Sequence, residues 1–120
     1  MPQKDPDIEA YLPLTPAVFH VLLAVADGDM HGYAILKEVE DRTQGKVRLS
    51  TGTLYAIIKR LLSDGLIQEL DKRPVDDDER RRYYRLTDFG RRVALAEAKR
   101  MEEMVTAARA KRLLRKPGHA

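Results

Sequence analysis

Apolar residues recur at three- and four-residue intervals in four stretches of the chain, and glycine, proline and charged turns separate them. In the first stretch, Val18, Leu22 and Val25, with Phe19, Leu23 and Ala26 beside them, predict a helix that Asp27-Gly28-Asp29 ends. Thr15 stands as its cap and Pro16 takes the first helical position, where a missing amide does no harm. Leu14 and Phe19 have the spacing of a hydrophobic staple. A second helix is expected over residues 31–43, with Ile35, Leu36 and Val39 inward, Lys37, Glu38, Glu40 and Asp41 outward, and Gln44-Gly45 as the stop. The third lies within residues 50–67: Ser50 or Thr51 can cap it, Leu54, Ile57, Ile58 and Leu61 form its core stripe, and Gly65 can take the left-handed position after its last turn.

Between these helices, residues 46–49 alternate like a short strand. Residues 66–70 and 82–86 read as two further strands, joined by a loop over 71–81 that contains Pro74. The last apolar pattern runs over residues 88–114, with Ala94, Ala98, Met101, Val105 and Ala108 in steps of four, three, four and three. The expected fold is mostly α with a small β hairpin: a winged helix-turn-helix followed by a long C-terminal helix. An irregular arm occupies residues 1–13, with a short turn around Ile8 to Leu12; the winged-helix unit spans 14–87, the last helix 88–115 and a tail 116–120. A helix of roughly 27 residues is about 40 Å long and exceeds what so small a domain can cover. The seam Ala94, Ala98, Met101, Val105 and Ala108 therefore predicts a homodimer.

At 120 residues and 13.7 kDa the chain is long enough for one domain with its own core. The absence of cysteine removes thiol catalysis, cysteine-type zinc sites and disulfide frameworks, and fits a reducing, cytoplasmic setting. There is no run of eighteen apolar residues and no signal-peptide pattern in residues 1–13, so no membrane association is expected. Net charge is only +3, but its distribution is uneven. Residues 45–63 contain Lys46, Arg48, Lys59 and Arg60 and no acid; Arg80, Arg81, Arg82 and Arg85 surround a tyrosine pair; Arg109, Lys111, Arg112, Arg115 and Lys116 close the chain.

On the third helix Thr51, Tyr55 and Lys59 form a row opposite the core stripe, with hydroxyls, a ring and a cation suited to phosphates and base edges. Thr53 either joins that face or serves the cap. In the last strand Tyr84 and Leu86 should face the core, and Tyr83 and Arg85 outward. Asp76, Asp77, Asp78 and Glu79 would be repelled by phosphate, so that loop either turns from DNA or pairs with neighbouring arginines. His20, His31 and His119 have no metal-ligand spacing; His31 can cap the second helix or meet phosphate. Neither Ser50 nor Ser63 stands in a triad pattern, no glycine-rich phosphate loop occurs, and no catalytic residue, cofactor or metal is expected.

His31-Gly32-Tyr33-Ala34-Ile35, then Gly52-Thr53-Leu54-Tyr55 through Leu61 and Gly65-Leu66-Ile67, then Tyr83-Tyr84-Arg85-Leu86-Thr87 with Gly90, together resemble the PadR-type transcriptional regulators. The resemblance covers about residues 14–105 and is closest to the smaller branch, with one short terminal helix. It implies a winged-helix homodimer that binds a palindromic double-stranded DNA operator and represses nearby genes until an effector releases it. It also implies a DNA-facing region of Tyr33, Ser50, Thr51, Gly52, Thr53, Tyr55 and Lys59, with Arg81, Arg82 and Tyr83 on the wing. Some members hold aromatic ligands in a tryptophan-lined cleft at the dimer interface, and this chain has no tryptophan with which to build one. The competing classes are a winged-helix module for protein interaction and a non-specific architectural DNA binder.

Overall fold

Four helices begin where a side chain can accept one of the first free amides. Thr15 accepts from the Val18 amide (3.3 Å), His31 Nδ1 from Ala34 (3.2 Å), Ser50 Oγ from Thr53 (3.0 Å) and Thr87 Oγ1 from Gly90 (2.9 Å). The computed structural model describes residues 6–72 and 81–115. In chain order it contains α1 (Pro6–Glu9), α2 (Pro16–Val25), β1 (Met30–His31), α3 (Gly32–Arg42), α4 (Thr51–Ser63), β2 (Ile67–Lys72), β3 (Arg81–Leu86) and α5 (Asp88–Ala110). The three strands form one antiparallel sheet in the order β1-β3-β2. Helices α2 to α4 and this sheet make the winged helix-turn-helix, and α5 leaves from the end of the wing.

The core is shared among all these elements. Val21, Leu22, Ala24 and Val25 of α2 meet Ile35 and Val39 of α3, Leu54, Ile58 and Leu61 of α4, Leu66, Ile67 and Tyr84 around the sheet, and Val93 of α5. On α2, Leu22 and Val25 are buried as expected, but Val21 and Ala24 are buried with them, Val18 is only partly so, and Leu23 stays exposed. A second correction concerns residues 46–49, which form no strand. Their alternation is real, because Val47 and Leu49 pack on the core while Lys46 and Arg48 are exposed. Among the described residues no strand lies alongside them; Val47 donates to Thr43 Oγ1 (3.1 Å) instead. The third strand is Met30–His31, paired with Tyr84 and Tyr83.

Within residues 1–13, Pro6–Glu9 form a single helical turn. The arm is held to α5 by Tyr11, whose ring meets Phe89 edge-on at 5.7 Å, and by the Leu14 amide, which donates to the buried Glu97 carboxylate (2.9 Å). Arg100 completes that site through Nε (2.5 Å) and Nη2 (3.1 Å). Arg100 is the main reason the Glu97 carboxyl lies below the ordinary carboxylate range, with burial opposing and the Leu14 amide assisting.

Helix α5 stops at Ala110, earlier than its apolar pattern suggests, where Lys111 caps it and Arg112 takes a positive φ of 65°. Its first half is anchored: Gly90, Val93 and Glu97 are buried. From residue 98 to 110 no side chain is buried within the single chain.

The turn after α4 is fixed by Gly65, at φ 75°, and by the Leu66 amide donating to the Leu61 carbonyl (2.9 Å). Helix α5 presses on this turn through Gly90. A β-carbon there would fall on the Leu66 carbonyl oxygen, 2.8 Å from its carbon and 3.0 Å from Leu86 Cδ1. Thr87 donates to the same carbonyl from its amide (3.1 Å), and its hydroxyl is shared between the Gly65 carbonyl (2.7 Å) and that of Leu66 (3.0 Å). The end of α4 and the start of α5 are thereby one joint.

Candidate nucleic-acid interface

The cap of α4 sets the first part of the site. Ser50 accepts from the Thr53 amide and donates its own proton to the Thr53 hydroxyl (2.9 Å), so Thr53 serves the cap network while remaining exposed. Thr51, Gly52, Tyr55 and Lys59 are also exposed, whereas Leu54, Ile58 and Leu61 are buried. The two faces expected of this helix are separated. Gly52 has open space where a side chain would lie and an ordinary helical backbone, so nothing in the fold requires glycine there.

The start of α3 supplies the second part. His31 caps this helix through Nδ1, which requires that nitrogen to be unprotonated, and its ring meets Tyr83 edge-on at 5.4 Å. Tyr33, one residue into α3, is 69% exposed. Tyr55 of α4 is 47% exposed and leans over Gly32, whose missing β-carbon would collide with the Tyr55 hydroxyl and lie 2.9 Å from its ring carbon Cζ. This contact gathers Gly32 and Tyr55, with Tyr33 and His31 beside them in the chain. Burial pushes the phenol of Tyr84 up, and Glu69 and then Tyr55 add to it.

The wing contributes differently from the simple alternation. Tyr84 is buried as expected, but Tyr83 is half-buried against His31 rather than facing freely outward. Arg85 is occupied: Nε and Nη2 reach the two carboxylate oxygens of Asp29 at 2.9 and 3.0 Å, and this holds the guanidinium further in its charged form. Arg82 is exposed. The side chain of Arg81 and the acids at 76–79 lie outside the described residues.

The basic stretch 45–63 is less free than its lack of acids suggests. Arg48 Nε is 3.5 Å from Glu40 of α3, and Arg60 Nε is 3.8 Å from Asp64 at the end of α4. Among the described residues Lys59 makes no ion pair, which leaves it as the available cation of the Thr51, Tyr55 and Lys59 row. The structure therefore presents hydroxyls, two exposed tyrosines and an open glycine at the starts of α3 and α4, with the Lys59 cation further along α4. Such a surface can hydrogen-bond and approach an anion closely, and among the described residues no group of His, Asp or Glu could hold a metal ion.

The predicted seam on α5 is divided. Ala94 packs partly on the chain's own core, Ala98 is exposed, and Met101, Val105 and Ala108 are half-buried. Leu95 and Met104, absent from the predicted seam, are 62% and 59% exposed. No helix among the described residues is long and apolar enough to cross a membrane. A groove of about 590 Å³ lies between the arm, the end of α4 and the start of α5, lined among others by Tyr11, Val18, Arg60, Leu61, Asp64 and Phe89.

Comparison with known proteins gives consistent relatives. The transcriptional regulator Rv3488 of Mycobacterium tuberculosis is 34% identical over 85 residues, covering 71% of this chain and 75% of that one. A protein of Lysinibacillus sphaericus is 34% identical over 71 residues, 59% of this chain, and the match spans 64% of its length. Among solved structures, a PadR family regulator of Clostridium difficile has a TM-score of 0.67 at 24% identity, covering 78% of this chain and 94% of that one. Bacillus subtilis PadR in complex with operator DNA has a TM-score of 0.60 at 18% identity, covering 68% of this chain and 47% of that one. At these identities the two structures establish the winged-helix fold. The model of the transcriptional regulator PadR-like family matches residues 21–96, well over half of the chain, and the chain belongs to that family.

Proposed function

We propose that this regulator is a homodimeric, sequence-specific DNA-binding repressor that an effector releases from its operator. The observation that carries the reading is the exposed row of Thr51, Gly52, Tyr55 and Lys59 beside Tyr33, on a capped helix whose opposite face is core. Tyr33, Ser50, Thr51, Gly52, Thr53, Tyr55 and Lys59 form the DNA-facing surface, and Arg81, Arg82 and Tyr83 serve the wing. Bacillus subtilis PadR, similar in fold, is known in complex with operator DNA, which supports assigning the same partner class here.

Residues 14–87 act as the reading unit and 88–115 as the dimerisation helix, with the C-terminal half of α5 as its main contact. No side chain of that half is fully buried in a single chain, and Ala98, Met101, Met104, Val105 and Ala108 lie along it. Two-fold symmetry then places the α4 helices about 34–36 Å apart, in successive major grooves. The groove beside Tyr11 and Phe89 is large enough for a small effector and touches the joint between α4 and α5.

Titrating an operator selected from a random duplex pool over a salt series tests this reading. Tyr55→Ala should weaken binding by an amount that depends on the operator bases. Arg82→Ala should weaken all sequences alike and reduce the salt slope by about one unit. An unchanged slope removes Arg82 from the phosphate contacts, and equal affinity of the wild-type protein for random duplex removes sequence reading.

A further inference from the structure

Gly32 is the first residue of α3 and is buried. Its φ is not in the left-handed region, so its backbone conformation is open to any residue, and glycine is a poor choice for a helix on propensity alone. The space that a side chain would need is filled by Tyr55. A β-carbon at position 32 would collide with the phenol hydroxyl, lie 2.9 Å from Cζ and 3.4 Å from Cε1. All three atoms belong to the far end of one side chain, and that side chain is 47% exposed on the proposed DNA-reading helix.

We propose that Gly32 is a positioning residue for DNA recognition: its missing side chain lets the Tyr55 ring lie across the start of α3 and so fixes that tyrosine in its reading orientation before DNA arrives. A ring already held in place loses less freedom on binding than one that turns freely, so orientation becomes affinity and selectivity. With alanine at position 32 the backbone can stay where it is while the phenol swings away. The inference rests on the reading of α4 as the recognition helix.

The test is a four-member cycle of wild type, Gly32→Ala, Tyr55→Ala and the double variant, titrated with the selected operator and with random duplex. Gly32→Ala and Tyr55→Ala should each weaken operator binding about tenfold, and Gly32→Ala should lower the preference over random duplex. The double variant should bind no more weakly than Tyr55→Ala, because removing the ring removes the collision. Binding by Gly32→Ala within twofold of wild type overturns the proposal, and so does a double variant that loses the product of the two single effects.

Melting temperatures supply a readout independent of DNA. Gly32→Ala should raise the midpoint more in the Tyr55→Ala background than in the wild-type background; equal shifts in both overturn the positioning contact. If the wild-type protein shows no preference for any operator, the functional reading fails while this melting cycle still decides whether Gly32 holds Tyr55.

Discussion

Gly90→Ala tests the joint between the end of α4 and the start of α5. The added methyl would lie 2.8 Å from the Leu66 carbonyl carbon, where a relaxed carbon pair sits at about 3.5–4.0 Å. Backbone must therefore move by about 0.7–1.2 Å on that comparison, and the Leu66 turn has little freedom. Its amide is bonded to Leu61, and its carbonyl accepts the Thr87 amide and shares the Thr87 hydroxyl with the Gly65 carbonyl. Overpacking of this kind costs about 1–3 kcal/mol. Stretching the two Thr87 bonds adds roughly 1 kcal/mol, and alanine's better helix propensity returns about 1 kcal/mol. The expected net loss is about 2 kcal/mol, or a melting midpoint lower by roughly 8 °C for a chain of this size. Circular dichroism of the wild type and the variant, with Gly28→Ala as a control that meets nothing within 4 Å, reads the difference. A Gly90→Ala protein that melts at or above the wild-type temperature would refute the close approach.

Other substitutions separate stability from recognition. Gly52→Ala should stabilise the fold by about 0.5–1 kcal/mol, since the methyl enters open space, yet weaken operator binding; stronger binding would mean that no DNA backbone comes close there. His31→Ala should lose about 1 kcal/mol through the α3 cap, and His31→Asn should recover most of it; equal losses in urea unfolding would assign the effect to the Tyr83 contact instead. Glu97→Gln should destabilise by about 1–3 kcal/mol at pH 7 by weakening the Arg100 and Leu14 bonds. Because Arg100 depresses the Glu97 carboxyl in the folded state, that stabilisation is full above the unfolded value near 4.3 and is lost as pH falls through the lower folded value. Stability of the wild type should thus decline below about pH 5 more steeply than that of Glu97→Gln, and parallel curves would show that Glu97 carries no such linkage.

Local chemistry explains which parts could be read from the chain. Thr15, Ser50 and Gly65 act within a few residues of themselves, and the stripe Leu54, Ile58, Leu61 is a property of one helix, so these ends and faces are legible. The misreadings at residues 46–49 and at Arg48 involve partners distant in sequence. Residues 46–49 alternate well enough for a strand, but only a neighbouring strand makes one, and β3 pairs with Met30–His31 instead. Glu97 is buried through a contact that no local pattern signals, the Leu14 amide 83 residues away donating to it. Arg48 sits in a stretch without acids and nevertheless meets Glu40 from α3. Tyr55 is legible as an outward residue, whereas its contact with Gly32 needs the crossing of α3 and α4.

The most direct measurement is fluorescence anisotropy of the protein on labelled duplex from upstream of its own gene, with excess random duplex as competitor. A sequence-reading dimer predicts saturation at two chains per duplex and a signal that survives the competitor. Equal displacement by random duplex, or no binding even at low salt, would contradict it.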